Sequence, residues 1–318
     1  MSRAAPPRAI AYAPPRIVCE EAPDGSLRCR STEPLAPHDP SLARLFRAAV
    51  ERNPGGLFLA ERGADGAWRK VSYEAARRAA DALAHGLIER GLSAERPVMI
   101  LSGNGIDHAL ITLAGHTAGI PVAPISVAYS LQSQDHAKLK HIAALLEPGL
   151  LYVADTGPFA TALAALDLAK VELAASRNGA NLDAVTAFDD MARSRPGPAV
   201  EKAAAATGAD TIAKFLFTSG STGLPKAVVN THGMLAANQQ QLAQIWPFLD
   251  EAPLVLLDWL PWNHTFGANH NFNLVLRHAG TLFIDGGRPL PGLIEATVRN
   301  LGEVSPTIYF NVPAGYAA

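Results

Sequence analysis

The spacing of apolar residues changes repeatedly along the chain, and each spacing predicts an element. Two alternating runs flank Pro23-Asp24-Gly25, which predicts a hairpin after an extended Pro/Ala-rich start. Leu42, Leu45, Phe46, Ala49 and Val50 recur at helical spacing, in a helix opened by Asp39-Pro40 and ended by Asn53-Pro54-Gly55-Gly56. Residues 57–61 and 68–71 read as strands around Ala64-Asp65-Gly66. Ser72 then caps a long helix running to about Arg90, with Leu83, Leu87 and Ile88 turned inward. From Pro97 the rhythm becomes strand, helix, strand: strands at 98–101, 122–125, 150–154 and 170–174, helices at 107–117, 137–146 and 159–166. This alternation predicts an α/β fold with parallel or mixed sheets covered by helices. Residues 193–206, rich in Pro and Ala, read as an irregular connection. Beyond them a helix at 233–246 carries Asn238, Gln239, Gln240, Gln241 and Gln244 as a polar face. Strands at 254–257, 281–284 and 307–310 alternate with helices at 266–277 and 292–301.

Composition narrows the possibilities. With 318 residues and 48% hydrophobic content the chain has enough material for a sizeable core. A formal net charge of −2 argues against a nucleic-acid or acidic-membrane surface. Arg3 and Arg8 lie near the start, but no apolar core of signal-peptide type follows them. No charged residue occurs from Ala109 to Gln134, yet Gly115, Gly119, Pro121 and Pro124 break that stretch, so buried core is expected rather than a membrane span. A cytoplasmic protein is expected. The two cysteines, Cys19 and Cys29, flank the hairpin turn; a three-residue loop would set them opposite one another, within reach of a cross-strand disulfide, but without an export signal reduced thiols are expected. Their spacing makes no metal motif.

Candidate chemistry concentrates in the stretch KFLFTSGSTGLPKAVVNTH, Lys214 to His232. A short apolar strand empties into Thr218, Ser219, Gly220, Ser221, Thr222 and Gly223, and Pro225-Lys226 leads into a second apolar run. Small hydroxylated residues and glycines leave many backbone N–H groups free, and one lysine supplies charge, a combination suited to a polyanion. It is not a Walker A loop, because Lys226 lies three residues after Gly223 and precedes a strand rather than a helix. A second constellation, Leu260-Pro261-Trp262-Asn263-His264-Thr265-Phe266-Gly267, follows a strand and precedes a helix, the position that lines clefts in parallel sheets. On residues alone His264 reads first as a packed, hydrogen-bonded core histidine.

FTSGSTGLPKA resembles the signature phosphate loop of the adenylate-forming enzymes, with Ala227 where the usual pattern has Gly. The LPWNH run resembles the family's L-P-x-x-H segment. Within the family the chain is most similar to feruloyl-CoA synthetase, through AYSLQSQDHAKLKH, FTSGSTGLPKAVVNTHGM, LPWNHTFGANHNFN and PTIYFNVPAGY. The resemblance implies the N-terminal domain of the adenylate-forming fold. It implies a two-step reaction in which a carboxylate attacks the α-phosphate of Mg-ATP and coenzyme A then displaces AMP. Thr218, Ser219, Gly220, Ser221, Thr222, Gly223 and Lys226 would hold the ATP phosphates. Thr222, Lys226 and His264 would be catalytic. His264, Phe266 and His270 would meet the acyl group, with Phe266 and His270 on one helical face and Asn269 and Asn271 as polar partners. The cofactors implied are ATP, Mg2+ and coenzyme A, with a small carboxylic acid as partner.

Relatives carry further parts that this sequence does not show: a Tyr-Gly-x-Thr-Glu segment, a later ribose-binding Asp, and a small C-terminal lid domain with an adenylating lysine. Residues 1–35 are therefore expected to form an extension and hairpin, and residues 36–318 a partial, truncated adenylation domain, inactive by itself. Ligases for benzoate-like or fatty acids, a non-catalytic ATP- or phosphate-binding remnant, and an inert product remain open. An in-frame continuation beyond Ala318 would favour the enzyme.

Overall fold

A computed structural model of the chain describes residues 10–182, 184–218 and 223–317. The first hairpin, β1 (Ile17–Glu21) and β2 (Leu27–Ser31), is a separate two-stranded sheet with every residue exposed. Its register sets Cys19 opposite Cys29, and the two are joined as a disulfide, which corrects the expectation of reduced thiols. Directly opposed side chains on an antiparallel pair are close enough to bond once the register is set. Helix α1 (Leu42–Arg52) begins later than Asp39-Pro40 implied. Its cap is Ser41, whose hydroxyl accepts from the Arg44 N–H, and Leu42, Leu45, Phe46, Ala49 and Val50 are all buried. Strands β3 (Leu57–Arg62) and β4 (Trp68–Ser72) lead into α2 (Tyr73–Glu89), which Ser72 caps as expected.

The central stretch follows the α/β rhythm: β5 (Val98–Leu101), α3 (Ile106–Ala118), β6 (Val122–Pro124), α4 (Ala128–Leu131), α5 (Ala137–Leu146), β7 (Leu150–Asp155), α6 (Thr156–Ala164), β8 (Glu172–Arg177), β9 (Val185–Ala187) and α7 (Phe188–Ala192). Next comes α8 (Pro198–Ala206), where an irregular connection was expected. Pro198 occupies the first turn, where its missing N–H costs nothing, and the alanines behind it favour a helix. The remaining elements are β10 (Ile212–Thr218), β11 (Lys226–Thr231), α9 (His232–Ile245), β12 (Val255–Asp258), a π-helical segment Phe266–Phe272, α10 (Asn273–His278), β13 (Thr281–Ile284), α11 (Ile294–Val304) and α12 (Pro313–Ala317). The strand expected at 307–310 does not form. Thr307 meets the edge of β12 by donating its N–H to the Val255 carbonyl, while its hydroxyl accepts the Val255 N–H, so a side chain stands in for the ladder.

Seven strands form the main sheet in the order β11-β10-β6-β5-β7-β8-β9, parallel except for the β10–β11 pair. A second sheet has the order β12-β13-β3-β4. Strand β5 explains how the main sheet is held. Val98 and Ile100 enter the larger hydrophobic cluster, while Met99 and Leu101 enter a second one against α5 and α6. A strand covered on both faces must be apolar throughout, as Val-Met-Ile-Leu is. Helix α3 is buried along nearly its whole length, which accounts for the charge-free stretch without any membrane. Among the described residues no helix is long and apolar enough to cross one.

Candidate active site

The hairpin that the sequence pattern assigns to phosphate is built by β10 and β11, whose antiparallel register sets Lys226 directly across from Thr218. Both side chains are exposed at its mouth. Gly223 closes the turn at φ +133, a backbone conformation that a side chain would strain. The buried Pro225 offers its carbonyl to His141 Nε2 at 3.1 Å, fixing the exit of the loop. Thr218 and Lys226 are thus brought together. Ser219, Gly220, Ser221 and Thr222 lie outside the described residues. No group of three His, Cys, Asp or Glu forms among the described residues.

Beneath the hairpin lies a basic interior that the sequence reading missed. Lys214 of β10 is buried, and burial alone pushes its ammonium down to about 8. His108 and His116 of α3 and His232 at the start of α9 surround it, all pushed down mainly by burial; Lys214 repels each of them, His232 adds to the effect on His116, and the Gly103 carbonyl partly opposes it at His108. His108 and His232 fall to about 4, so both are neutral near pH 7. His232 Nδ1 accepts the Leu42 N–H at 3.1 Å, and its ring meets His116 edge-on at 5.2 Å. Lys214 and His108 line a cavity of about 10 Å³ closed by Trp262 and Phe272, room for roughly one water.

The second constellation sits past the carboxyl end of β12. Asn104, in the loop after β5, clamps it: Nδ2 donates to the Leu260 carbonyl at 2.8 Å and Oδ1 accepts the Trp262 N–H at 2.9 Å. Gly267 is required here, because a Cβ would strike the Leu260 and Pro261 carbonyls. His264 is exposed, so it is not the packed core histidine that its aromatic neighbours also allowed. Phe266 and His270 do share a face, with rings edge-on at 5.3 Å. Trp246 and Phe310 complete an aromatic cluster, their rings 5.9 and 4.9 Å from His270. The helix carrying these rings is π-helical over Phe266–Phe272, a geometry that recurs at functional sites.

Asn269 joins the two constellations. Its Nδ2 donates to Asn230 of β11 and to the Thr265 hydroxyl, both at 3.1 Å, and its carbonyl accepts from Gln239 at 2.9 Å. Gln239 is therefore buried against the π-segment, and Gln240 is buried with the Arg277 guanidinium donating to its amide oxygen, rather than forming a polar face. Asn271 Oδ1 meets His270 Nδ1 at 2.8 Å. Two buried acids close the far side. Asp285 is saturated by the Gly287 N–H, the Thr297 hydroxyl and the Asn300 amide. Asp258, at the end of β12, is pushed up to about 7, mainly by burial. Neither acid carried a motif that could have marked it in the sequence.

Through Asn269 the β10–β11 hairpin is tied to the aromatic segment. Residues 46–318 match the AMP-binding enzyme family, and the chain belongs to that family. Its fold is that of the N-terminal domain of adenylate-forming enzymes. ATP-bound MatB from Rhodopseudomonas palustris is similar at 25% identity and TM-score 0.64, over 86% of this chain and 50% of that one. A benzoate CoA ligase from Burkholderia xenovorans shares the fold, with TM-score 0.68 at 20% identity, over 87% of this chain and 51% of that chain. Among curated proteins, mouse long-chain-fatty-acid–CoA ligase 6 is 23% identical over 86% of this chain and 40% of its own length. The Streptomyces viridochromogenes phosphinothricin tripeptide synthetase PhsC is 29% identical over 55% of this chain and 15% of its own. The chain therefore spans about half or less of the length of these relatives.

Proposed function

We propose that the chain supplies the ATP-phosphate and acid-binding part of an acid–thiol ligase that activates an aryl carboxylic acid, ferulate or a close analogue, as its adenylate and then its coenzyme A thioester. The observation that carries this reading is the Asn230–Asn269–Thr265 link, which holds the phosphate hairpin and the aromatic segment in one unit. Charge on the departing pyrophosphate needs preorganised donors. Lys226, the Thr218 hydroxyl and the Gly223 amide are at hand, and Ser219, Gly220, Ser221 and Thr222 are assigned to the same cradle. His264, exposed at the head of the aromatic segment, is assigned to the point where carboxylate and α-phosphate meet. Phe266, His270, Trp246 and Phe310 favour a flat ring over a flexible alkyl chain, because aromatic pairs add to simple area burial. Mg2+ bound with ATP would neutralise phosphate charge. Residues 36–318 form the adenylation part in this reading, and ATP and coenzyme A as co-substrates go with a cytoplasmic setting.

Acid-dependent ATP–pyrophosphate exchange tests the proposal, run on the 318-residue chain and on the chain with whatever coding sequence follows Ala318 in frame. The expected result is little exchange by the chain alone and exchange driven by ferulate in the longer product. A longer product that prefers hexadecanoate would move the substrate to fatty acids, and one that binds no ATP would overturn the function.

A further inference from the structure

Asp258 and Asn271 are both buried beside the aromatic segment, and each has an atom without a hydrogen bond: Oδ2 of Asp258 and Nδ2 of Asn271. The two groups are neighbours, since the Asn271 amide favours the charged form of Asp258 against the effect of burial. On its other side the same amide meets His270 Nδ1 at 2.8 Å. Asn271 thus lies between a carboxyl and an imidazole, and its two ends have opposite hydrogen-bonding character. Among the described residues His270 Nε2 takes no hydrogen bond, and the rings packed on it, Trp246, Phe266 and Phe310, carry no charge.

We propose that Asp258 is a positioning residue which, through the Asn271 amide, sets the nitrogen of His270 that carries the proton, and so decides whether the acyl site offers an acceptor or a donor to a ring substituent of the acid. With Asp258 ionised, Nδ2 of Asn271 faces the carboxylate and Oδ1 accepts from His270 Nδ1–H. Nε2 is then bare and accepts. With Asp258 protonated, the carboxyl O–H becomes a donor, and the amide turned by half a rotation gives it Oδ1. Nδ2 now donates to His270 Nδ1, which must be bare, so the ring proton resides on Nε2. One proton is taken from solvent by Asp258; His270 stays neutral and exchanges its proton with water.

The protonated state with the turned amide gives a partner to each of the two atoms that lack one, Oδ2 of Asp258 and Nδ2 of Asn271. The titratable groups facing Asp258 are few. Asp285 at the end of β13 raises it, Tyr309 beyond α11 has its own hydroxyl raised and stays neutral, and His270 is held below its usual value by burial. The carboxyl is therefore the group that changes charge near neutrality. The consequence for the acid rests on the function proposed above. A 4-hydroxyl on the ring can donate to a bare Nε2, and a 4-methoxy group cannot.

Long-range 15N–1H spectra of histidine-labelled chain, between pH 6 and 8.5, read the tautomer without any turnover. The expected result is an Nδ1–H ring at pH 8.5 that converts to Nε2–H as the pH falls through about 7. Asp258→Asn, nearly isosteric, is expected to hold one tautomer across that range. A wild-type tautomer that ignores pH, or one that titrates unchanged in Asp258→Asn, overturns the proposal; the wild-type titration decides even if the variant does not fold. Binding of 4-hydroxycinnamate against 4-methoxycinnamate to the same chain separates the two readings. A preference of about five- to tenfold at pH 8.5 that narrows at pH 6.5 supports both. A tautomer that switches while neither acid binds, or with no such preference, keeps Asp258 in its role and removes the acyl site from His270.

Discussion

Lys214 shows what a single buried charge costs a fold. Its ammonium sits in the core at about 8 against 10.5 for an ordinary lysine, and among the described residues no carboxylate pairs with it. The folded state therefore binds fewer protons than the unfolded chain between pH 8 and 10.5, and stability must rise with pH across that window. The full shift corresponds to about 3 kcal/mol at pH 7, taking 1.36 kcal/mol per unit. Lys214→Met, similar in length and apolar, is expected to raise stability at pH 7 by roughly 1–3 kcal/mol and to flatten the rise between pH 8 and 10.5. Urea unfolding at pH 7 and pH 10 measures both; a variant less stable at pH 7 that still shows the rise contradicts the assignment. Sequence alone could not reveal this residue, because a lysine in an apolar strand reads as an edge or a turn until its neighbours are known. The same holds for Asp258, whose role depends on Asn271 being folded against it. Lys226, by contrast, is assigned from contiguous residues, and the structure places it exposed across from Thr218.

At the scale of elements the period of apolar residues found most of the α/β alternation, and the departures have local causes. Proline read as a breaker at residue 198 because pattern reading does not distinguish the first turn of a helix from its interior. Gln239 and Gln240 read as a polar face because amides are polar, yet Asn269 of the π-segment partners Gln239, and Arg277 and Gln244 partner Gln240, so both can be buried. That segment makes its own prediction. Replacing a helical glycine by alanine ordinarily gains up to about 1 kcal/mol of helix propensity. At Gly267 a Cβ would meet backbone carbonyls, and overpacking costs roughly 1–3 kcal/mol. Gly267→Ala is expected to lose about 2 kcal/mol in urea unfolding and to weaken aryl-acid binding together with stability. A stabilised variant would show that the Leu260–Pro261 clamp yields freely.

Over the whole molecule the core and the first hairpin are separable. Residues flanking the hairpin dock on α9, through the Ala13 N–H to the Ile245 carbonyl and Gln244 to Pro34 and Ala36. The hairpin strands themselves bury nothing. Cys19→Ser is accordingly expected to move the unfolding free energy by less than about 0.5 kcal/mol, as for other surface changes; a loss above about 2 kcal/mol would show that the disulfide constrains the core. The two sheets and α3 instead form the frame that sets the phosphate hairpin against the aromatic segment. The account stands most directly on calorimetric titration of ATP into the wild-type chain and into Lys226→Ala, under one salt and magnesium condition. It predicts one-site binding weakened at least about tenfold by the substitution, the scale of one lost charge-assisted hydrogen bond. Equal affinity in the two proteins, or no binding in the wild type, would contradict it.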